Sequence, residues 1–140
     1  MDAKELIVRF AAVMDTGDCA ELDALLSAEF VLHSPLVDRT FSRDDVRNGI
    51  LEIRDAFEEP RHQIEELIAE GNKVAVRFRI RGKQLRDYQG IVSRGKSFDI
   101  TAMSIFRVEG GQIQEEWELV DRTGLVRQLG AGASPVLVRE

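Results

Sequence analysis

The stretch Val74-Ala75-Val76-Arg77-Phe78-Arg79-Ile80-Arg81 alternates apolar and polar side chains without interruption. Residues two apart point to the same side of a strand, so the pattern predicts a β-strand with one buried and one solvated face. Glu70-Gly71-Asn72, directly before it, is typical of a hairpin turn. The turn predicts a partner strand over residues 63–69, and thus an antiparallel sheet in the second half of the chain.

Downstream of this strand the period of two continues. Residues 85–92 and 97–108 are predicted to form two further strands, and Glu109-Gly110-Gly111-Gln112 is predicted to form a hairpin turn before a last strand. Thr123 to Leu129 is predicted to form a short closing helix, which ends at Gly130.

Upstream the apolar residues recur at helical spacing. A first helix is predicted from Leu6 to Met14, a second around Leu22 to Leu26, and a third from Ser42 to before Pro60. Between the last two, Phe30-Val31-Leu32 predicts a brief strand. Helices followed by an antiparallel meander indicate an α+β domain with the helices on one sheet face. A strongly curved sheet under such helices would leave a conical pocket.

The composition restricts the class of protein. The chain has 140 residues, a net charge of −6, 44% hydrophobic and 31% charged residues, which indicates one globular domain. The acidic balance argues against a general nucleic-acid binder. Cys19 is the only cysteine, so an internal disulfide and a cysteine-based zinc site are excluded. No secretory signal or membrane span is visible, and we expect a cytoplasmic protein that does not bind membranes.

Gly90-Ile91-Val92-Ser93-Arg94-Gly95-Lys96-Ser97 satisfies the phosphate-loop pattern G-x-x-x-x-G-K-[ST]. In nucleotide triphosphatases that loop opens a helix, whose N-terminal amides hold phosphate. Here the following residues, Phe98 to Met103, are β-branched and aromatic, and they predict a strand. We therefore interpret the motif as a glycine-bearing turn with an exposed lysine.

Asp121 is the first candidate catalytic residue. If no bulge intervenes, it shares a strand face with Ile113, Trp117 and Leu119. A carboxylate at the end of an apolar face is partly desolvated, which raises its pKa and suits a general base or acid. The competing interpretation is structural, because Asp121-Arg122-Thr123-Gly124 is also a helix start with Asp121 as N-cap.

The histidines and the cysteine give weaker signals. His33 would line the mouth of the cone or simply pack there, and His62 is predicted to face solvent or lie at a sheet edge. The two lack metal-ligand spacing, so no metal site is predicted. Cys19 has no evident partner for nucleophilic catalysis. Trp117 and Met103 are predicted to form the core or the pocket wall, where they would suit a flat apolar ligand.

The order of several short motifs resembles a known family. These are Tyr88-Gln89-Gly90, Glu115-Glu116-Trp117, Asp121 and Gln128-Leu129-Gly130, after a segment from Glu70 to Arg77. The pattern resembles the SnoaL-like polyketide cyclase (ester cyclase) family of the nuclear transport factor 2-like superfamily, over about residues 5–131. The resemblance implies an α+β cone, a curved mixed or antiparallel sheet with the N-terminal helices over its concave face.

The resemblance also implies a chemistry. Characterised cyclases of the family close a ring by intramolecular aldol condensation in a deep apolar cavity, without metal or cofactor, and their catalytic aspartate matches Asp121. Tyr88 stands where members often carry a histidine, and it is a poorer proton shuttle at neutral pH. The expected site therefore has Asp121, Tyr88 and His33 as catalytic residues. The residues expected to contact a small hydrophobic ligand are Trp117, Met103, Phe106 and Phe57.

Two functions follow as hypotheses. The first is a cofactor-free cyclase or isomerase of a small hydrophobic carbonyl compound. The second is a non-catalytic small-molecule-binding or dimerisation module with the same cavity. We expect one domain over residues 1–131 and a tail over 132–140, whose Val136-Leu137-Val138 would cover part of the open sheet face or a neighbouring copy. A homodimer or higher homo-oligomer is the expected assembly.

Overall fold

The structure is a computed structural model that describes residues 1–130. The predicted tail segment Val136-Leu137-Val138 lies outside the described residues. Four helices form: α1 (Ala3–Thr16), α2 (Cys19–Leu25), α3 (Arg43–Ala56) and α4 (Arg122–Gln128). Six strands form: β1 (Leu26–His33), β2 (Thr40–Phe41), β3 (Phe57–Glu70), β4 (Lys73–Gln84), β5 (Ser97–Glu109) and β6 (Gln112–Val120).

The six strands form one curved, unclosed sheet in the order β2-β1-β6-β5-β4-β3. The pair β1–β6 is parallel, and every other neighbouring pair is antiparallel. The mixed sheet and the helices before it confirm the predicted α+β cone. The strand before the Glu70-Gly71-Asn72 turn begins earlier than predicted, at Phe57, directly after α3 ends.

Capping residues mark the ends of the helices. The Ser42 hydroxyl accepts from the backbone N–H of Asp45, and the Asp45 carboxylate accepts from the N–H of Ser42, so α3 starts with a capping box. Asp2 caps α1 through its own carboxylate, which accepts from the N–H of Glu5. Gly17 ends α1 at φ 74°, a left-handed conformation that glycine adopts without a steric penalty.

The main core lies between α1 and the inner face of the sheet. The ring of Phe10 on α1 meets the ring of Phe106 on β5 edge-on, with centroids 5.8 Å apart. On β5 every even-numbered residue from Phe98 to Phe106 is buried, and the odd-numbered residues from Ser97 to Ile105 are exposed. The sheet therefore has an inner face under the helices and an outer face toward solvent.

The strand predicted over 85–92 is wrong. Leu85 to Lys96 form a connection in which Tyr88 and Ile91 alone exchange two backbone hydrogen bonds. Gln89 and Gly90 between them have φ of 46° and 82°, so the chain reverses within a tight turn instead of continuing as a strand. The Gln84 amide fastens this loop by donating to the carbonyls of Arg86 and Ile91.

The phosphate-loop pattern contains no helix start. Gly95 adopts φ 66°, and β5 begins at Ser97. The helix N-terminus that would hold phosphate is therefore not present at this motif. The structure agrees with the interpretation of Gly90 to Ser97 as glycine-bearing turns.

Candidate functional site

A β-bulge in β6 places the residues after it on the sheet face opposite to the one that the sequence pattern predicts. Val108 pairs with Ile113, but the preceding residue Arg107 pairs with Glu115, so Gln114 is an extra residue in the ladder. Ile113 is buried, whereas Trp117 and Leu119 are exposed on the outer face. The expectation that Ile113, Trp117 and Leu119 share one face is therefore wrong.

Three predicted site residues lie on the outer face. His33 on β1 pairs in register with Trp117 on β6, and their rings stack with centroids 5.3 Å apart. His33 Nε2 lies 2.6 Å from a carboxylate oxygen of Glu115. That hydrogen bond holds the pKa of Glu115 below its ordinary value. Met103 is exposed on β5, in the same outer surface.

The other predicted ligand contacts lie inside. Phe106 is fully buried in the main core. Phe57 belongs to a second buried cluster near α4, where its ring meets Tyr88 at 5.0 Å and Phe98 at 5.1 Å, both edge-on. The structure thus separates the predicted residues into an outer group and an inner group. Their contacts with a ligand stay predictions.

Asp121 lies where β6 ends and is the N-cap of α4. Its carboxylate accepts from the backbone N–H of Gly124 at 2.9 Å, and its side chain is exposed. A Cβ at Gly124 would stand 2.2 Å from Asp121 Oδ2, so the carboxylate occupies the space that a side chain there would need. The capping role is a structural fact, and the predicted catalytic role of Asp121 stays a prediction.

Tyr88 extends from the loop after β4 onto the ring of Phe57. Burial raises the pKa of Tyr88 to about 12, and the charges of Glu52 and Glu118 act in the same direction, while Arg122 opposes them. The phenol therefore stays protonated at neutral pH and can donate a hydrogen bond. Within residues 1–130 its hydroxyl has no hydrogen-bond partner, and the residue is half-buried.

Two carboxyl groups that were not among the predicted site residues lie on the inner face of β6. Glu116 and Glu118 are two residues apart on one strand, so their side chains share a side at a backbone separation of about 7 Å. Glu116 is only 6% exposed, and its Oε2 accepts from the Ser104 hydroxyl at 2.8 Å.

Burial is the main cause of the raised pKa of both carboxyl groups. Burial, together with the charge of Glu118, raises the pKa of Glu116 to about 8, against the opposing hydrogen bond from Ser104. Burial also raises the pKa of Glu118, while His62 acts to lower it. A carboxyl group with a pKa near neutrality can give or take a proton under physiological conditions, which is the requirement for general acid–base catalysis.

His62 lies on β3, which is an edge strand of the sheet, as one of the two predicted alternatives has it. The other alternative, a side chain that faces solvent, is wrong, because the His62 side chain is only 8% exposed. Its Nδ1 lies 2.9 Å from Asp15 Oδ1 on α1, and the same oxygen accepts from the His62 backbone N–H at 2.9 Å. His62 pairs in register with Ile80, whose side chain packs into the core, so the imidazole lies on the inner face.

Glu118 and His62 lie on strands that are not neighbours in the sheet. Two strands, β5 and β4, separate β6 from β3, and in a flat sheet this would place them about 14 Å apart. The curvature brings His62 close enough to affect the pKa of Glu118 without a hydrogen bond between them. Among residues 1–130 the Glu118 carboxylate has no hydrogen-bond partner, and the residue is half-buried. The charge of Glu118 also acts on the pKa of Tyr88, so Glu118 is the group through which His62 and Tyr88 are linked electrostatically.

A signal for this site was present in the sequence. Phe98, Ile100, Ala102, Ser104 and Phe106 are the inward positions of β5, and Ser104 is the polar exception. A hydroxyl on a buried face needs a hydrogen-bond partner, which here is Glu116. The partner could not be identified from spacing, because the bulge at Gln114 is not visible in the pattern.

The structure adds three further observations on the described residues. Within 1–130, no three His, Cys, Asp or Glu side chains are grouped so as to hold a metal ion. Over the same range no helix has the length and apolar character needed to cross a membrane. The Cys19 sulfur is half-buried and donates to the Gly17 carbonyl.

Solved structures share this fold. TsrD from Streptomyces laurentii superposes with a TM-score of 0.83 at 30% identity, covering 94% of this chain and 98% of that one. IdmH from Streptomyces antibioticus, a proposed polyketide cyclase, gives 0.83 at 22% identity, with 93% and 99% covered. A proposed polyketide cyclase from Acidithiobacillus ferrooxidans gives 0.79 at 23% identity, with 95% and 100% covered.

Two sequence comparisons complete the structural one. The search of curated protein sequences finds no match to this chain. The family profile of SnoaL-like polyketide cyclases matches residues 4–129, which is nearly the whole of the described structure. The chain therefore belongs to the SnoaL-like polyketide cyclase family.

Proposed function

We propose that this chain is a cofactor-free acid–base enzyme that forms an enolate from a small hydrophobic carbonyl compound and uses it in an aldol-type or isomerisation step. The observation that supports this most strongly is the pair of Glu116 and Glu118 on the inner face of β6, opposite His62. The family supports it as well, since it is a family of polyketide cyclases.

The reaction would begin with removal of a proton. Burial raises the pKa of Glu116 to about 8, so in this scheme Glu116 keeps its proton at neutral pH and Glu118 is assigned the role of the base. The Glu118 carboxylate takes a proton from a carbon between two carbonyl groups, and the electron pair of that C–H bond moves onto a carbonyl oxygen. Desolvation makes the carboxylate a stronger base than it would be in water.

The enolate would be stabilised by hydrogen-bond donors that are already neutral. Tyr88 has a hydroxyl without a partner among the described residues, and Glu116 carries a proton on a desolvated carboxyl group. Ketosteroid isomerase stabilises its enolate with the same combination of a tyrosine and a neutral carboxyl group. In an aldol step the enolate carbon attacks a second carbonyl carbon, and the new alkoxide takes the proton that Glu118 received.

Hydrogen–deuterium exchange tests the proposal without knowledge of the natural substrate. Hydrophobic β-diketones and β-ketoesters are incubated with the protein in D₂O, and the loss of the C–H signal is followed by NMR. We expect Glu118→Gln to slow the enzyme-dependent exchange by about 10²–10⁴, the usual contribution of a positioned general base. Glu115→Gln is the matched control, because that carboxylate lies on the outer face with His33 and the exchange rate should not change.

The predicted role of Asp121 is decided in the same experiment. If Asp121→Asn abolishes exchange and Glu118→Gln does not, the base is the predicted aspartate at the end of β6. If compounds bind but neither the wild type nor any variant accelerates exchange, the alternative of a non-catalytic binding module is correct. In that case the site on β6 is a ligand contact only.

We also propose that the chain forms a homodimer through the outer face of the sheet. This face carries a shallow groove of about 370 Å³. Its exposed apolar residues are Ile68, Met103, Ile105, Trp117 and Leu119. Arg77 and Glu66 lie along the same groove, so a second copy could pair opposite charges around an apolar centre. An exposed apolar surface of this kind is typical of an interaction site.

A further inference from the structure

Asp15 is the best-connected carboxylate near the inner site. It lies in the last turn of α1, and one of its oxygens, Oδ1, accepts two hydrogen bonds from the same residue, one from the His62 backbone N–H and one at His62 Nδ1. These bonds connect α1 to β3 across the wall of the cone. Two bonds to one oxygen fix both the position of the strand and the plane of the ring.

The turn that carries Asp15 is itself held in place. The guanidinium of Arg54 on α3 donates to the backbone carbonyl of Asp15. The same side chain covers Gly17, where an added Cβ would stand 2.7 Å from the Arg54 Nε. A side chain from a third element therefore holds the backbone at the C-terminus of α1, the turn that carries Asp15.

We infer that Asp15 is a positioning residue that holds His62 in one orientation, with Nδ1 toward α1 and Nε2 directed to the space in front of Glu118. An ionised carboxylate can only accept hydrogen bonds, so the nitrogen that faces it must carry the hydrogen. Nε2 of the neutral ring is then an acceptor. The inference rests on the proposed function, because a positioned histidine matters only if protons move in this site.

His62 would be a second proton carrier, opposite Glu118. Glu118 removes the proton from carbon on one wall, and His62 on the other wall can take up or return a proton at Nε2, where the substrate oxygen would lie. Asp15 would then face the positively charged imidazolium and stabilise it. It touches no substrate in this scheme and acts only through His62.

The chain contains its own control for this geometry. It has two histidines, and each lies against one carboxylate: His62 with Asp15 on the inner side and His33 with Glu115 on the outer side. Only two imidazole signals are therefore expected in the spectrum of a protein labelled with ¹⁵N-histidine. A change at Glu115 should move one signal, and a change at Asp15 the other.

The test is the tautomer of neutral His62, read from two-bond ¹H–¹⁵N correlations. In the wild type we expect the hydrogen on Nδ1. In Asp15→Ala we expect the population to shift to the Nε2–H form and the exchange rate of the proposed reaction to fall by up to about a hundredfold. Asp15→Asn retains an acceptor oxygen, so it should restore the Nδ1–H form and most of the activity. Glu115→Ala should alter the His33 signal alone.

Clear results would overturn the inference. A wild-type His62 with its hydrogen on Nε2, or an unchanged tautomer in Asp15→Ala, would show that Asp15 does not orient the ring. Thermal unfolding identifies a variant that fails to fold, and in that case Asp15→Asn decides alone: loss of the Nδ1–H form in this variant contradicts the inference. Since the tautomer is measured without substrate, a wild type that lacks exchange activity would overturn the proposed function only.

Discussion

Glu116 shows what burial does to a single carboxyl group. It is 6% exposed and has one hydrogen bond, from Ser104. One neutral donor does not replace the hydration of a carboxylate, so the protonated form is favoured and the pKa rises to about 8. The same residue that gives the site a neutral hydrogen-bond donor therefore makes the fold sensitive to alkaline pH.

We predict that Glu116→Gln removes part of the pH dependence of stability. The pKa of Glu116 is higher in the folded state than its ordinary value of 4.5, so the folded state binds this proton more tightly. This stabilisation is complete below that ordinary value and is lost as the pH rises toward about 8. Over this range the free energy of unfolding of the wild type should fall by an amount on the order of a few kcal/mol.

Glutamine keeps an oxygen that accepts from the Ser104 hydroxyl, and it cannot ionise. The free energy of unfolding of the variant should therefore fall less steeply with rising pH than that of the wild type. Urea unfolding at a series of pH values from about 5 to 9 measures this free energy. Glu115→Gln is the control, since the pKa of Glu115 is lowered and its contribution is lost at acid pH instead. Parallel curves for wild type and Glu116→Gln across this range would contradict the prediction.

Strand β6 contains both features that its sequence predicts and one that it does not. The strand, its hairpin turn and its apolar residues were predictable, because Ile113, Trp117 and Leu119 follow a regular period. The bulge at Gln114 was not, because one extra residue in a ladder leaves no mark on composition. A shift of one residue reverses every side chain after it. Glu116 and Glu118 therefore lie inside, and Trp117 lies outside.

The other elements were predictable to different degrees. β4 has an unbroken alternation, and the structure follows it over Lys73–Gln84. The capping box of Ser42 and Asp45 determined where α3 starts. The loop after β4 does not form the predicted strand, because positive φ values at Gln89 and Gly90 reverse the chain. The Asp15–His62 contact joins residues far apart in sequence, so local patterns could not reveal it.

We predict that Gly124→Ala destabilises the protein although alanine favours helices. A Cβ at Gly124 would stand 2.2 Å from Asp121 Oδ2, so the carboxylate must leave its capping position. Loss of an N-cap costs about 0.5–2 kcal/mol. We expect the free energy of unfolding, measured in urea, to fall by roughly 1 kcal/mol after the helix propensity of alanine is included.

Gly49→Ala is the matched control for this variant. Gly49 lies inside α3, and a Cβ there would meet no atom within 4 Å. The higher helix propensity of alanine is then the only effect, so the free energy of unfolding of this variant should rise by about 0.5–1 kcal/mol. Equal effects of the two substitutions would show that the Asp121 cap does not determine the conformation at Gly124.

The two faces of the sheet carry different side chains. The inner face holds the acid pair and His62 under the helices. The outer face is open, and it carries apolar side chains on neighbouring strands: Ala75, Ile105 and Trp117 lie side by side in register on β4, β5 and β6. Ile105 is 47% exposed at the centre of this row. Contiguous exposed apolar side chains of this kind mark interaction sites on protein surfaces.

We predict that the wild type has twice the mass of the chain in light scattering, and that Ile105→Glu is a monomer at the same concentration. In a two-fold interface each substitution occurs twice, so two carboxylates would be buried among apolar side chains without partners. Leu51→Glu is the control, because Leu51 is equally exposed, at 46%, but lies on α3, away from the sheet face. It should remain a dimer. A monomeric wild type, or a dimeric Ile105→Glu, would show that the outer face does not bind a second copy.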